Sequence, residues 1–169
     1  MRNIISIIAL LALLSLSNCG TISYSLSGAS IPAAAKTVSV QYIPNNAPIV
    51  NPQLSQNLTD ALKDKFQSQT SLKLINGTGD LDFEGEITGY SVRPVAIQGG
   101  DVAAKNRLTV TITMRYSNSI DPTYEFDKSF SRYEDYDSGT NLKDKEEELT
   151  AIIIEQLIED IFNNSVVNW

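Results

Sequence analysis

The stretch Arg107-Leu-Thr-Val-Thr-Ile-Thr-Met-Arg-Tyr-Ser117 decides the fold. Leu108, Val110, Ile112, Met114 and Tyr116 alternate without a break with Arg107, Thr109, Thr111, Thr113 and Arg115. Strict period two marks a strand with one apolar and one polar face, and the threonines favour extended backbone. A half-buried strand needs neighbours, and the sequence supplies them on both sides. Upstream, Asp80–Ile97 reads as a long strand with Leu81, Phe83 and Ile87 on one face and Asp80, Asp82, Glu84 and Glu86 on the other. Gly85 and Gly89 leave gaps on its apolar face, where a helix could approach closely or the strand could bulge, and Pro94 suggests an edge or a bend. Asn76-Gly77-Thr78-Gly79 and Gln98-Gly99-Gly100-Asp101 are the bounding turns. Downstream, Asn118–Pro122 turns the chain into Tyr124–Tyr133, a strand with Phe126 and Phe130 inward. Lys128 and Arg132 share that inward parity, so the apolar face is incomplete there.

Farther out, the period changes. Asn51-Pro52 predicts a helix start, with Asn as N-cap and Pro in the first turn. Leu54, Leu58, Ala61, Leu62 and Phe66 follow at helical spacing, ending near Gln69. Leu142–Asn164 is the second predicted helix, with Asp144 and Glu146–Glu148 toward the positive end of its dipole. Its apolar arc (Leu149, Ile152, Ile153, Ile154, Leu157, Ile158, Ile161, Phe162) is wider than one sheet face requires. Either the first helix also packs on it, or part of it meets a partner. Lys36–Ile43 reads as a strand with Val38, Val40 and Tyr42 on one side, and Leu72–Ile75 as a short apolar run. The order strand, helix, strands, helix predicts an α+β two-layer sandwich. Two helices pack on one face of a four- to five-stranded, mainly antiparallel sheet. The opposite sheet face is expected to be polar.

The amino terminus carries a different message. Ile4–Leu16 is an apolar run broken only by Ser6 and Ser15, behind Arg2 and ahead of Cys19, the one cysteine in the chain. This is a signal-peptide pattern, and Leu16-Ser17-Asn18-Cys19 has the form of a lipobox. The expected organisation is a lipoprotein signal peptide at 1–18, an acylated tether at 19–35 starting at Cys19, and a single domain at 36–169. A short strand is expected within the tether around Tyr24–Leu26. Removing 18 of 169 residues leaves 151, with 12 basic and 20 acidic side chains. That balance argues against a nucleic-acid partner.

The chain contains no histidine. Ser-His-Asp and Cys-His catalysis and His-based zinc sites are therefore excluded, and no enzyme, cofactor or metal is expected. The acidic ladder Asp80/Asp82/Glu84/Glu86 reads as a row of cross-strand ion pairs with partners such as Arg107 and Arg115. The basic residues carry the binding expectation. Lys105, Arg107 and Arg115, with Arg93, Lys128 and Arg132 as further candidates, are expected to form a positive area on the open sheet face. Guanidinium groups bind phosphate in a bidentate way. Trp169 is expected to cap the core.

Several blocks resemble the LptE family of lipopolysaccharide-assembly lipoproteins, in the form found in Bacteroidetes. They are the lipobox, Ser25–Ala29, Lys36–Pro52, Leu58–Phe66, Asp82–Tyr90, Phe130–Tyr133 and Glu159–Phe162. The resemblance implies an outer-membrane lipoprotein on the periplasmic face. It would plug and help fold a large β-barrel translocon subunit (LptD-like) and bind lipopolysaccharide on its way to the outer leaflet. It also implies two helices on a four-stranded sheet. An alternative rests on the strand-helix opening Val38–Phe66: a periplasmic lipoprotein regulator of an envelope enzyme such as a peptidoglycan synthase.

Overall fold

The computed structural model describes residues 31–95 and 104–166. The signal peptide, Cys19, most of the tether, the 98–101 turn and Trp169 lie outside the described residues. Five strands and two long helices follow in the order β1 (Thr37–Val40), α1 (Leu54–Gln69), β2 (Lys73–Leu74), β3 (Leu81–Val95), β4 (Lys105–Asn118), a 3-10 turn (Pro122–Tyr124), β5 (Phe126–Asp137) and α2 (Leu142–Val166). The sheet order is β2-β1-β3-β4-β5. β3, β4 and β5 form the expected antiparallel meander, whereas β1 pairs in parallel with both β2 and β3. The sheet is therefore mixed, with its long ladders antiparallel and its parallel pairings confined to a short β-α-β unit.

The decisive stretch behaves as its pattern requires. Leu108, Val110, Ile112, Met114 and Tyr116 are all buried under the helices. A run of ring contacts ties the layers together. Phe66 of α1 meets Phe83 at 4.8 Å and Phe162 of α2 at 5.3 Å; Phe83 stacks on Tyr116 at 4.8 Å; Tyr116 meets Phe126 at 5.3 Å. Each such pair adds about 0.5–1.5 kcal/mol beyond area burial. The wide apolar arc of α2 is filled largely from inside the molecule. Leu149, Ile153, Ile154, Leu157, Ile158, Ile161 and Phe162 are buried against sheet and α1, while Ile152 stays exposed. Contacts Asn51–Glu146, Lys65–Glu159 and Phe66–Phe162 climb both helices in the same order, so α1 and α2 run parallel.

Four local expectations need correction. Tyr42 does not join Val38 and Val40 inside: β1 ends at Val40, Tyr42 is exposed, and Ile43 takes the buried place. The chain leaves the strand ladder there and continues along β3 through the bridge of Asn45 to Ile87. Gly89 does not lie on the apolar face. A bulge between Ile87 and Gly89 shifts the parity, so Gly89 faces Thr111 outward and Tyr90 turns inward opposite Val110. α1 begins at Leu54 because Asn51 caps a preceding tight turn. Its Oδ1 accepts from the Gln53 N–H at 3.0 Å, and its carbonyl accepts from the Leu54 N–H at 3.3 Å. Lys128 and Arg132 do lie inward, but they reach across the sheet edge to α2. Arg132 holds Asp160 with two bonds of 2.6 and 2.5 Å, and Lys128 contacts Asn164 at 3.4 Å. They are thereby removed from the open face.

Two glycines are required by close approach. Residues 76–79 cross over β1 on its way to β3, and the Gly79 N–H donates to Ser39 Oγ at 2.8 Å. A Cβ on Gly79 would lie 2.9 Å from Ser39 N and 3.0 Å from Val38 C. Gly85, a predicted gap on the apolar face, is filled by the Met114 side chain. Pro94 falls where β3 has run past its parallel neighbour, so its missing N–H costs no ladder bond with β1.

Candidate functional site

The face of the sheet away from the helices is the polar surface that the alternation predicts. The β4 register sets its rows. Arg107 lies between Arg93 and Asp135, Thr109 between Ser91 and Tyr133, Thr111 between Gly89 and Ser131, Thr113 between Glu86 and Ser129, and Arg115 between Glu84 and Asp127. The middle rows are neutral and locked by hydroxyl pairs, Thr111 with Ser131 at 3.0 Å and Thr113 with Ser129 at 3.1 Å. Charge collects at the two ends.

One end is basic. Arg107 donates from Nε and one terminal nitrogen to the two oxygens of Asp135, at 2.7 and 2.9 Å. Its guanidinium also lies over the Tyr133 ring, 3.6 Å from the centroid. The bond from Arg107 holds the Asp135 carboxyl below the usual carboxylate range, with Lys105 adding to the effect. The same bond raises the Arg107 guanidinium still higher. Lys105 sits two residues along the same strand face, opposite Asp137, and Arg93 flanks Arg107 from β3. Lys105 and Arg107 thus lie together at this end of the face.

The other end is acidic. Arg115 pairs with Glu84 and faces Asp127, with Glu86 one row away. It lies eight residues from Arg107 along β4, about 27 Å at the usual strand rise. Lys105, Arg107 and Arg115 therefore share a face without forming one patch.

The acidic ladder resolves into separate structural bonds. Asp80 accepts from the backbone N–H of Lys36 and Thr37 and from Thr37 Oγ1, at 2.8–2.9 Å. These donors, the Lys36 N–H first, hold its carboxyl below the usual value of 3.8. Asp82 is buried and accepts from Ser39 Oγ and, at 3.4 Å, from Gln41. Glu84 takes Arg115, and Glu86 accepts from Asn46 Nδ2 at 2.5 Å. Glu84 alone of the row, among the described residues, forms the expected cross-strand ion pair. Among the described residues no cluster of His, Cys, Asp and Glu could hold a metal ion.

Tyr133 and Asp135, which complete the Arg107 site, escaped the sequence reading. Their outward parity is visible in β5, but their place opposite Thr109 and Arg107 depends on the β4–β5 register, which no residue pattern fixes.

A small α+β domain with a charged, open sheet face has the form of a binding or assembly module. The family model for LptE, described as lipopolysaccharide-assembly, matches residues 35–165. The chain belongs to the LptE family, a non-enzymatic family of envelope-associated lipoproteins that assemble lipopolysaccharide. No curated protein matches it in sequence. Several solved structures resemble it in fold. A hypothetical protein from Chlamydia trachomatis is 8% identical with a TM-score of 0.53, covering 80% of this chain and 100% of that one. A putative neuraminyllactose-binding hemagglutinin homolog from Helicobacter pylori is 8% identical with a TM-score of 0.51, covering 83% and 88%. A minor lipoprotein from Acinetobacter baumannii is 16% identical with a TM-score of 0.49, covering 76% and 91%. Identities this low bear on fold alone. Among the described residues no helix is long and apolar enough to cross a membrane.

Proposed function

We propose that this chain is an outer-membrane lipoprotein of the Bacteroidetes type, anchored at the periplasmic face through acyl chains on Cys19. Residues 1–18 are its signal peptide and 19–35 its tether. The domain acts as plug and assembly partner of an LptD-like β-barrel and contacts lipopolysaccharide during transport to the outer leaflet. It uses no cofactor. The observation that carries this reading is the continuous family match over residues 35–165, which takes in all five strands and α1 and all but the last residue of α2.

The basic end of the open face, Lys105 and Arg107, is the proposed contact for lipopolysaccharide phosphate, and Arg115 is a separate, weaker one. Asp135 already occupies two N–H groups of Arg107, so a phosphate must share or displace it. Co-purification from native membranes in mild detergent should bring down a large β-barrel, and depletion should leave lipopolysaccharide in the periplasm. Recovery of a peptidoglycan synthase instead, with lipopolysaccharide transport intact, would overturn the reading. Lys105→Glu with Arg107→Glu should weaken lipopolysaccharide binding more than Arg115→Glu does. Equal, unchanged binding in both variants would remove these residues from the contact.

A further inference from the structure

We propose that the trough between α1 and α2 is a docking groove for a basic amphipathic helix of a partner protein. The inference is independent of whether lipopolysaccharide meets the sheet, because it concerns the opposite layer. The two parallel helices meet on their inner side through Phe66 and Phe162, and a trough runs along the outer side of their seam. Ala61 on α1 and Ala151 on α2 are small and leave the space along the seam unfilled. A trough of about 660 Å³ remains, its apolar surface offered mainly by these two alanines, with Ile154 and Ile158 buried beneath them. It extends from Asn57 to Ser68, about 17 Å or three helical turns. A third helix seated on two parallel ones fits such a shape at ordinary packing distances.

The rim specifies the charge of the occupant. Asp60 and Asp64 stand one turn apart on α1, and Glu155 and Glu159 stand one turn apart on α2. Among the described residues, Lys65 is the only cation on the lining, and it already pairs with Glu159. Like charges at i,i+4 destabilise a helix by a few tenths of a kcal/mol per pair, so both helices carry an unfavourable repeat along the same groove. An occupant with an apolar stripe and Lys or Arg at i,i+4 on each flank relieves both repeats and covers the floor. An anionic lipid surface would be repelled by the same rim, so the occupant is a protein segment.

The test uses the full mature chain carrying Cys19→Ala, so that no micelle competes for the probe. The probe is a fluorescent amphipathic peptide of about 18 residues, long enough to outspan three turns, with a leucine stripe flanked by lysines; its twin carries glutamates in place of the lysines. The lysine peptide should bind and the glutamate peptide should not. Amide shifts should concentrate in residues 57–68 and 151–159. Ala151→Trp, at an exposed position, fills the trough without changing charge. It should weaken binding about tenfold or more, a loss of about 1.4 kcal/mol. Asp60→Lys with Glu155→Lys should do the same and admit the glutamate peptide. Failure of the lysine peptide to bind overturns the proposal. So does binding that Ala151→Trp leaves intact, which would mean diffuse attraction to an acidic chain. The shift map of the unsubstituted chain decides the matter if a variant does not fold. Shifts spread over the sheet face, or seam shifts that appear on raising protein concentration alone (a second copy as occupant), also overturn it.

Discussion

Replacing Gly79 by alanine should be among the most damaging single-methyl changes in this chain. The new Cβ would sit 2.9 Å from Ser39 N, 3.0 Å from Leu81 O and 3.0 Å from Val38 C. All three are backbone atoms, so no side-chain rotation relieves the clash. The 76–79 crossing must lift off β1, which stretches the Gly79 N–H bond to Ser39 Oγ. Overpacking of this kind costs about 1–3 kcal/mol, and a weakened hydrogen bond adds about 1 kcal/mol, giving about 2–4 kcal/mol in all. For a domain of about 130 residues each kcal/mol moves Tm by about 4 °C, so the fall should be about 8–16 °C. Urea and thermal unfolding followed by far-UV circular dichroism measures it. Gly139→Ala is the control, since nothing lies within 4 Å of its added methyl. That variant should be neutral or up to about 1 kcal/mol more stable. Should Gly79→Ala fall within about 0.5 kcal/mol of the unsubstituted chain, the crossing is not packed on β1 as described.

Three further outcomes follow from the same contacts. Tyr90→Phe removes the hydroxyl that donates to Glu146 at 2.5 Å, and should cost about 1–2 kcal/mol in urea unfolding, with Asn51→Ala costing less when added to it than alone. The Tyr116 phenol is pushed up to about 12, chiefly by burial. Its unfolded-state counterpart ionises first, so stability should hold below pH ~10 and fall as pH rises toward 12, and Tyr116→Phe should flatten that fall in alkaline denaturation. Asp80 runs the other way. Its lowered carboxyl stabilises the fold above the ordinary value of 3.8, and that contribution is lost as pH falls through the folded-state value, so Asp80→Asn should make acid unfolding less steep.

The two-layer architecture was legible because β4 and both helices carry unbroken periodicity, and amphipathic period is what burial on one side requires. Phe83, Phe66 and Phe162 could be placed in the core for the same reason. What stayed hidden depends on interruptions of period. One added residue in β3, at the Ile87–Gly89 bulge, moved Gly89 outward and Tyr90 inward; a glycine there is compatible with a bulge or with close helix approach, and nothing local chooses between them. Tyr42 continues the alternation of β1 yet falls after the strand has ended, because the chain there pairs along β3 instead. Lys128 and Arg132 had the right parity and an unforeseen destination, since α2 overhangs the sheet edge and offers Asp160 and Asn164. The site was legible to the level of a face. Its ends were not, because the partners of Arg107 and Arg115 are chosen by cross-strand register and not by sequence neighbours.

The outermost position of β5 has a consequence of its own. One side of this twelve-residue strand bonds to β4, and the backbone along the other has no neighbouring strand among the described residues. Six of its residues are charged, four acidic and two basic. Any further strand arriving there would have to strip water from that fringe before gaining a single backbone bond. That charged fringe disfavours extension of the sheet at the β5 edge.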